Sequence, residues 1–252
     1  MSKIAVIGGG SFGTVVANII ALNGHDVQFW MRSGELVNEV NEQQENKQYL
    51  PGYSLSKKVI ATANMSDAVT KASLVFVAVP SSSFREVVKQ IVVFASDDAM
   101  LISTTKGIEP GNFKLMSQVL HEESPSSGIG VLSGPNLAKE IASKHPTGTV
   151  IASNNEQIRE TVKDVLRSDT FRVYTNDDMF GIELGGSLKN IYAIIAGLAA
   201  SIGTGHNTNS MLVTRALAEM ARFGRELGAD PMTFLGLAGV DDLVVTCSTP
   251  LS

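Results

Sequence analysis

A short apolar run near the start of the chain leads directly into closely spaced glycines. The run is "KIAVI" at residues 3–7, and Gly8, Gly10 and Gly13 then follow with the spacing G-x-G-x-x-G. The first glycine permits a tight turn, the second lets a pyrophosphate approach the backbone, and the third lets a helix pack closely on the strand. Directly after a strand and at the start of a helix, this spacing predicts a dinucleotide-binding unit whose helix N–H groups bind phosphate.

Short runs rich in β-branched residues recur through the first two-thirds of the chain. We predict strands at 3–7, 26–30, 59–62, 74–79, 99–104, 130–132, 149–153 and 171–175. Helical periodicity lies between them at 12–22, 83–94 and 155–167. Apolar strands that alternate with helices are typical of a parallel sheet covered on both faces. The expected fold class is therefore α/β, a Rossmann-type, doubly wound and mostly parallel sheet.

The strand pattern stops after about Asn176, and the remaining chain is helical. We predict helices at 177–203, 209–228 and 231–238. The last of these starts with Asp230 and Pro231, a capping residue followed by a proline at the first helical position. We therefore expect two domains, a dinucleotide-binding domain at 1–180 and a helical substrate domain at 181–252.

Composition excludes several classes of function. The chain has 252 residues, of which 44% are hydrophobic, and a net charge of −5, which disfavours nucleic acid as a partner. Cys247 is the one cysteine, so no disulfide framework is expected and a reducing compartment is favoured. The histidines form no cluster with cysteine or carboxylates, so we expect no metal site. With no signal peptide and no membrane span expected, the sequence indicates a cytoplasmic protein.

The end of the second predicted strand indicates which dinucleotide binds. A carboxylate usually holds the ribose 2′-hydroxyl of NAD at this place, but Arg32 and Ser33 stand there instead. A cation and a hydroxyl suit a 2′-phosphate, so we expect NADP(H), with NAD(H) as a second cofactor. A solvated surface arginine is the alternative interpretation. Phe12 and Phe84 either flank the cofactor rings or belong to ordinary packing.

Further candidates lie where predicted strands end, because ligands of open α/β sheets bind at the carboxyl edge. Pro80 ends the strand at 74–79, and Lys106 stands just past the end of another strand. Gly134 is followed by Pro135 at the start of a predicted helix, whose first N–H groups would be free to bind an anion. Taken alone, Lys106 is as readily a surface lysine.

Lys189 is the next candidate, because no other formally charged residue follows it until Arg215. On a helix its side chain leans back over Gly185 and Gly186, and Gly181 would extend this bare groove by one turn. Each glycine inside a helix costs roughly 1 kcal/mol against alanine, so another helix or a ligand must pack closely there. We predict that Lys189 points across a glycine-lined groove. Tight helix packing, with Lys189 reaching solvent, is the alternative.

Two adjacent aspartates follow Gly239 near the end of the chain. Asp241 or Asp242 could pair with one of the lysines or orient a substrate hydroxyl. A carboxylate at the start of a helix is an equally good interpretation from the local sequence. The choice between them stays open at this point.

Taken together and in order, the motifs resemble those of the bacterial-type NAD(P)-dependent glycerol-3-phosphate dehydrogenases. They are "GGGSFGT" (8–14), "VAVPS" (77–81), "STTKGIE" (103–109), "SGPNLAKE" (133–140), "ELGGSLKNIYAIIAG" (183–197), "LVTRALAEMARFG" (212–224) and "LAGVDDLVVTCST" (237–249). The resemblance implies a dinucleotide-binding domain followed by an all-helical domain related to that of 6-phosphogluconate dehydrogenase. It also implies reversible reduction of dihydroxyacetone phosphate to sn-glycerol 3-phosphate, which feeds phospholipid synthesis, and it is compatible with a homodimer.

The resemblance assigns roles to particular residues. Lys189 matches the catalytic lysine, which would act as general acid toward the forming alkoxide. The residues matched to substrate contacts are Lys106, Gly134, Asn136, Lys189, Asp242 and Ser252. Those matched to cofactor contacts, together with the glycines of the loop, are Gly8, Gly10, Ser11, Phe12, Gly13, Arg32, Lys106 and Ala138.

Some positions depart from the family pattern. Asn136 stands where serine or threonine is usual, Asp241 replaces a common glycine, and Asn209 stands where a basic residue is frequent. The family continues beyond Ser252 with Arg-Asn and a helix that carries a cofactor-contacting glutamate, so we expect the helical domain to be incomplete in this chain. The alternative functions are a related 3-hydroxyacid or ketopantoate-type reductase, and a non-catalytic NADPH-sensing module.

Overall fold

The apolar runs form the strands of one sheet in a computed structural model, which describes residues 3–125 and 127–248. The strands are β1 (Lys3–Ile7), β2 (Asp26–Trp30), β3 (Val59–Thr62), β4 (Ala72–Val77), β5 (Met100–Ser103), β6 (Gly128–Ser133), β7 (Thr147–Ala152) and β8 (Phe171–Asn176). Their order in the sheet is β3-β2-β1-β4-β5-β6-β7-β8. The β6–β7 pairing is antiparallel and the other described strand pairings are parallel, so β7 and β8 run opposite to β1–β6. The predicted strands and the mostly parallel sheet are confirmed.

Helices connect the strands and then follow them. They are α1 (Ser11–Leu22), α2 (Gly34–Gln43), α3 (Met65–Val69), α4 (Phe84–Val92), α5 (Met116–Glu123), α6 (Ala138–Ala142), α7 (Glu156–Leu166), α8 (Met179–Ser201), α9 (His206–Glu226) and α10 (Asp242–Ser248). The predicted helices up to residue 228 are present, with ends shifted by a few residues at most. No described helix, α8 included, is long and apolar enough to span a membrane.

The prediction of one α-helix at 231–238 was wrong, because two short turns of other helical types occupy this stretch. Residues Pro231–Leu235 form a 3₁₀ turn and Leu237–Asp241 form a π-helical turn. Gly236 between them is extended, with φ −95° and ψ −170°, so no continuous α-helix can pass through it. The Asp230 side chain does cap the start, accepting a hydrogen bond from the backbone of Met232 at 2.9 Å.

The central strands are apolar on both sides because both faces of the sheet are covered. In β1, Ile4 and Val6 belong to a core cluster on one face, and Ala5 and Ile7 belong to the cluster on the other. All four are completely buried. Burial on both faces is what a parallel sheet between helical layers requires, and it explains why the run has no polar alternation.

A smaller core lies among α8, α9, α10 and the turns around Gly236. Its centre is Phe234, which is fully buried and packs with Leu184, Met220 and Leu243. A Cβ on Gly224 would overlap the Phe234 ring, so this glycine lets the ring lie against α9. The predicted boundary near residue 180 falls in the first turn of α8, and the division into two domains remains a prediction.

We predict that Phe234→Ala lowers the free energy of unfolding by roughly 3–5 kcal/mol, because it leaves a cavity at the centre of this small core. Chemical denaturation of the parent and the variant measures the difference. Phe113→Ala is the matched control, since the Phe113 ring is 81% exposed. Equal losses in the two variants would contradict the packing described here.

Candidate active site

The glycines after β1 build a loop with room at one defined point. Gly8 has φ +127°, and a Cβ there would overlap the Ala78 carbonyl oxygen. A Cβ on Gly13 would overlap the Gly8 carbonyl oxygen in the same way. Gly10, in contrast, has nothing within 4 Å of its Cβ position, and no side chain of the described residues caps α1 there. The loop therefore fits a pyrophosphate, with open space and helix N–H donors.

The connection from α2 to β3 fixes this loop by hydrogen bonds to the loop and to the first turns of α1. Asn46 is completely buried, and its Nδ2 donates to the Gly9 carbonyl at 2.9 Å and to Thr14 Oγ1 at 2.8 Å. Ser11 Oγ donates to the Tyr49 carbonyl at 2.8 Å. These bonds fix the loop, and the lone pairs of Ser11 Oγ remain as acceptors.

The other predicted cofactor residues lie around the loop in different environments. Phe12 is half-buried beside the core, and Arg32 is exposed just beyond the end of β2. No described carboxylate pairs with Arg32. Phe84 is completely buried in the core, so of its two interpretations ordinary packing is the correct one. Ala138 is the first residue of α6 and is partly buried.

A buried carboxylate joins the two candidate lysines. Asp242 Oδ1 accepts from Lys189 Nζ at 2.5 Å, and Asp242 Oδ2 accepts from Lys106 Nζ at 2.6 Å. The Asp242 side chain is 3% exposed, and those of Lys189 and Lys106 are 9% and 25% exposed. The pairing interpretation of the aspartates is therefore correct for Asp242, whereas Asp241 is exposed.

Each lysine has a second partner. Lys106 Nζ donates to the Gly134 carbonyl at 2.8 Å, and Lys189 Nζ donates to Thr246 Oγ1 at 2.6 Å. Thr246 was not predicted as a site residue, although its position one helical turn after Asp242 on α10 was a usable signal. Its hydroxyl donates to the Asp242 carbonyl at 2.6 Å, which orients its lone pairs toward the lysine.

Burial and the charge of Asp242 shift the pKa of Lys106 in opposite directions. Burial lowers the pKa, the Asp242 carboxylate raises it and the ammonium of Lys189 lowers it, and the net result is a pKa of about 8. A lysine with this pKa has a substantial neutral fraction near physiological pH. Proton exchange at this amine is therefore available in the range where enzymes work.

The glycines of α8 pack against the protein's own chain. A Cβ on Gly185 would lie 2.9 Å from the Ala238 carbonyl oxygen, and one on Gly186 would lie 2.9 Å from Ser133 Oγ. Gly181 lies under the carboxylate of Asp178, which caps α8 and accepts from the Gly181 N–H at 2.8 Å. The groove predicted over Gly181 and Gly185 is therefore filled by backbone and cap. Only Gly186 faces the Lys106 side.

The segment after β6 differs from its prediction in one respect. Gly134 has φ +134°, and its carbonyl accepts from the Asn136 N–H at 2.8 Å, so the chain turns there. The helix consequently starts at Ala138 and not at Pro135. Asn136 Nδ2 donates to Thr149 Oγ1 at 3.0 Å. Asn136 Oδ1 and Ser133 Oγ are buried without a partner in the described part of the chain.

Comparisons with known proteins identify the family of this chain. Family profiles described as NAD-dependent glycerol-3-phosphate dehydrogenase N-terminus and C-terminus match residues 3–159 and 178–252. A protein named glycerol-3-phosphate dehydrogenase (NAD(P)+) from Alcanivorax borkumensis is 55% identical over 248 residues, which are 98% of this chain and 72% of that protein. The chain belongs to the NAD-dependent glycerol-3-phosphate dehydrogenase family. The resemblance noted from the motifs is confirmed.

Solved structures support the same conclusion for the fold. A crystal structure of glycerol-3-phosphate dehydrogenase from Coxiella burnetii superposes with a TM-score of 0.95 at 35% identity, covering 100% of this chain and 77% of that chain. A ketopantoate reductase from Ralstonia eutropha superposes with a TM-score of 0.63 at 17% identity, covering 90% of this chain and 76% of that one, and it shows the fold alone. The predicted Rossmann-type sheet followed by helices is therefore the architecture of this glycerol-3-phosphate dehydrogenase family.

Of the residues assigned from the family, the structure brings Lys106, Gly134, Lys189 and Asp242 into direct contact. The glycine loop and Ser11 lie together at the start of α1. Ser252 lies outside the described residues.

We predict that Asp242→Asn lowers the pKa of Lys106 below about 8, because the carboxylate that favours the ammonium form is lost. The pH dependence of Lys106 acylation, followed by peptide mass spectrometry, measures this pKa. Asp241→Asn removes a neighbouring but exposed carboxylate and should leave the Lys106 pKa unchanged. An equal response to both substitutions would contradict the assigned charge balance.

Proposed function

We propose that this chain catalyses reversible hydride transfer between NADPH and C2 of dihydroxyacetone phosphate, which gives sn-glycerol 3-phosphate for phospholipid synthesis. The observation that carries the proposal is the pair of lysines on one buried carboxylate, in a chain of this family. The nicotinamide cofactor, when bound at the glycine loop, supplies or accepts the hydride. The protein's own residues supply position, charge and the proton.

Lys189 is proposed as the residue that transfers the proton. Asp242 Oδ1 and Thr246 Oγ1 accept hydrogen bonds from two of the three N–H groups of its ammonium, which leaves the third N–H for a substrate oxygen. In reduction the ammonium protonates the forming alkoxide, and in oxidation the neutral amine removes the same proton. Lys106 is proposed to polarise the carbonyl and to hold the substrate.

The local charge at this site opposes that of the whole chain. Two ammonium groups and one carboxylate leave one positive charge at the site, whereas the net charge of the chain is −5. A phosphorylated ketone is an anion, so the local excess favours it where the overall field does not. The charge therefore supports a small anionic substrate at this place.

Two unpartnered polar atoms at and just after the end of β6 support a polar substrate. Buried side-chain atoms nearly always have hydrogen-bond partners, and Asn136 Oδ1 and Ser133 Oγ have none among the described residues. The first can accept from a substrate hydroxyl, and the second can donate to a substrate oxygen. With Gly134 they are proposed to line the substrate site, and Ser252 remains a predicted contact outside the described residues.

Other assignments stay proposals on the same basis. The cofactor contacts are proposed to be Gly8, Gly10, Ser11, Phe12, Gly13, Arg32, Lys106 and Ala138. Residues 1–180 are proposed as the dinucleotide-binding domain and 181–252 as the substrate domain, with the catalytic lysine on the helix just after the boundary. We also propose a cytoplasmic location, in line with the single cysteine, and a homodimer.

We predict that Arg32→Ala raises the Kd for NADPH roughly ten-fold and leaves the Kd for NADH unchanged, because the lost partner is a charge-assisted contact to the 2′-phosphate. Titration of cofactor fluorescence measures both constants. Arg172→Ala is the control, since Arg172 is an exposed arginine on β8 at the far edge of the sheet. Equal losses for both cofactors would argue against the 2′-phosphate contact.

We predict that Lys189→Ala lowers kcat at least ~10²-fold with dihydroxyacetone phosphate, because the proton donor is lost, while NADPH binding is largely kept. Oxidation of NADPH followed by absorbance measures the rate, and Lys89→Ala removes an exposed lysine as the control. Near-normal turnover in the Lys189 variant would rule out its role. Ketopantoate and a 3-oxo acid belong in the same assay, since faster turnover of either would favour a related reductase. Tight NADPH binding with no turnover of any ketone would favour a sensing module.

A further inference from the structure

The segment that carries Lys106 is held against α8 by two side chains outside the lysine–aspartate group. This segment, residues 104–117, connects β5 with the first turn of α5. Glu183 and Ser187 contact its two ends from one face of α8, four residues apart. Lys189 lies on the same helix. The helix α8 therefore carries Lys189 and also contacts the segment that carries Lys106.

Glu183 is a buried carboxylate that holds the far end of this segment. Its residue is 3% exposed, and its oxygens accept from the Ser117 N–H at 3.0 Å and from Ser117 Oγ at 2.5 Å. Burial raises the pKa of Glu183 to about 7, against the lowering effect of the hydrogen bonds from Ser117. Burying a carboxyl group is costly unless hydrogen bonds satisfy it, and the two hydrogen bonds from Ser117 do so here.

Ser187 holds the near end, immediately after Lys106. Its Oγ lies 3.2 Å from both the N–H and the carbonyl oxygen of Gly107, and 3.0 Å from the Glu183 carbonyl. A Cβ on the adjacent Gly186 would make ordinary contact with Lys106 Cγ at 3.6 Å but would lie only 2.9 Å from Ser133 Oγ. Ser187 and Glu183 therefore tie the two ends of the segment to α8, while Thr105 Oγ1, which donates to the Val79 carbonyl at 2.7 Å, ties its start to the sheet.

A second group of contacts holds the same segment but does not reach α8. Arg85 on α4 donates to both oxygens of Glu109, at 2.6 and 2.8 Å, and also pairs with Glu122 and Glu123 on α5. These contacts order the segment within its own half of the molecule. They cannot fix its distance from Lys189, which depends on the contacts made by α8.

We propose that Glu183 is a positioning residue. Through its hydrogen bonds to Ser117 it holds Lys106 at the distance from Lys189 at which both lysines can contact the Asp242 carboxylate. This inference rests on the proposed function for its kinetic consequence but not for its structural one. Loss of the carboxylate lets α5 and the Lys106 segment shift from α8 as one unit. The two lysines would then no longer meet the two oxygens of one carboxylate with good geometry.

The decisive kinetic test compares Glu183→Ala with Glu183→Gln. A shift of about 1 Å in a positioned group can cost ~10²-fold, so we expect Glu183→Ala to lower kcat roughly ten- to hundred-fold with NADPH affinity kept. Glu183→Gln should restore most of the activity, because its amide oxygen can accept from the Ser117 N–H and its amide N–H can donate to Ser117 Oγ. Glu226→Ala, which removes an exposed carboxylate on α9, should leave kcat and KM unchanged.

A double substitution separates positioning from general destabilisation. In a Lys106→Met background, Glu183→Ala should add less than about a two-fold further loss of kcat/KM, because coupled residues are not additive. The proposal is overturned if Glu183→Ala costs the same factor in both backgrounds. It is equally overturned if this variant lowers only the midpoint of unfolding and keeps kcat and KM.

A readout without turnover distinguishes this inference from the proposed function. Release of the segment would expose Lys106 to water, so its pKa should rise above about 8 in Glu183→Ala and stay near that value in Glu183→Gln. The pH dependence of amine acylation at Lys106 reports this in the folded chain, and Ser117→Ala should show a smaller rise if Glu183→Ala does not fold. A chain that reduces no dihydroxyacetone phosphate refutes the proposed function, whereas an unchanged Lys106 pKa in Glu183→Ala refutes the role of Glu183.

Discussion

The site depends on one buried carboxylate, that of Asp242, which holds two ammonium groups from distant parts of the chain. Removing an ion from water is expensive, and a buried carboxylate is tolerated only when opposite charges and hydrogen bonds satisfy it. Lys106 and Lys189 satisfy both oxygens, and they are separated from Asp242 by 136 and 53 residues. The carboxylate therefore ties the sheet edge, α8 and α10 to one point, and the glycines of α8 make this approach possible.

Local pattern predicted the strands and picked out the candidate residues that the structure brings together, because the relevant forces act over short stretches of sequence. A parallel sheet covered on both faces requires continuous apolar runs, and those runs stand out in the sequence. Lys106 and Gly134 were located because strand ends in such sheets meet at one edge. Lys189 was located because it stands alone on an apolar helix, while its chemical role came from the family resemblance.

Other features were not predictable because they depend on contacts between distant segments. The helix expected at 231–238 is split at Gly236, since the turn at Leu237–Asp241 must bring the Ala238 carbonyl against Gly185. The choice between pairing and capping for Asp242 could not be made either, because the lysines that decide it are far away in sequence. Thr246 is a different case. Its spacing from Asp242 is visible in the sequence, but its hydrogen bond with the distant Lys189 is not.

Glycines in this chain have two different roles, which are to leave open space for a ligand and to allow close packing of the protein itself. The neighbouring atoms show which role each glycine has. Gly10 has no atom within 4 Å of its Cβ position, so the bare backbone at the start of α1 faces open space that a phosphate can occupy. Gly185 and Gly186 are bare for a different reason, because the protein's own backbone and side chains come within 3 Å of theirs. The glycine-rich turn before Lys189 is thus a packing surface for the helix. It brings α8 close to the sheet, which places Lys189 where it shares the Asp242 carboxylate with Lys106.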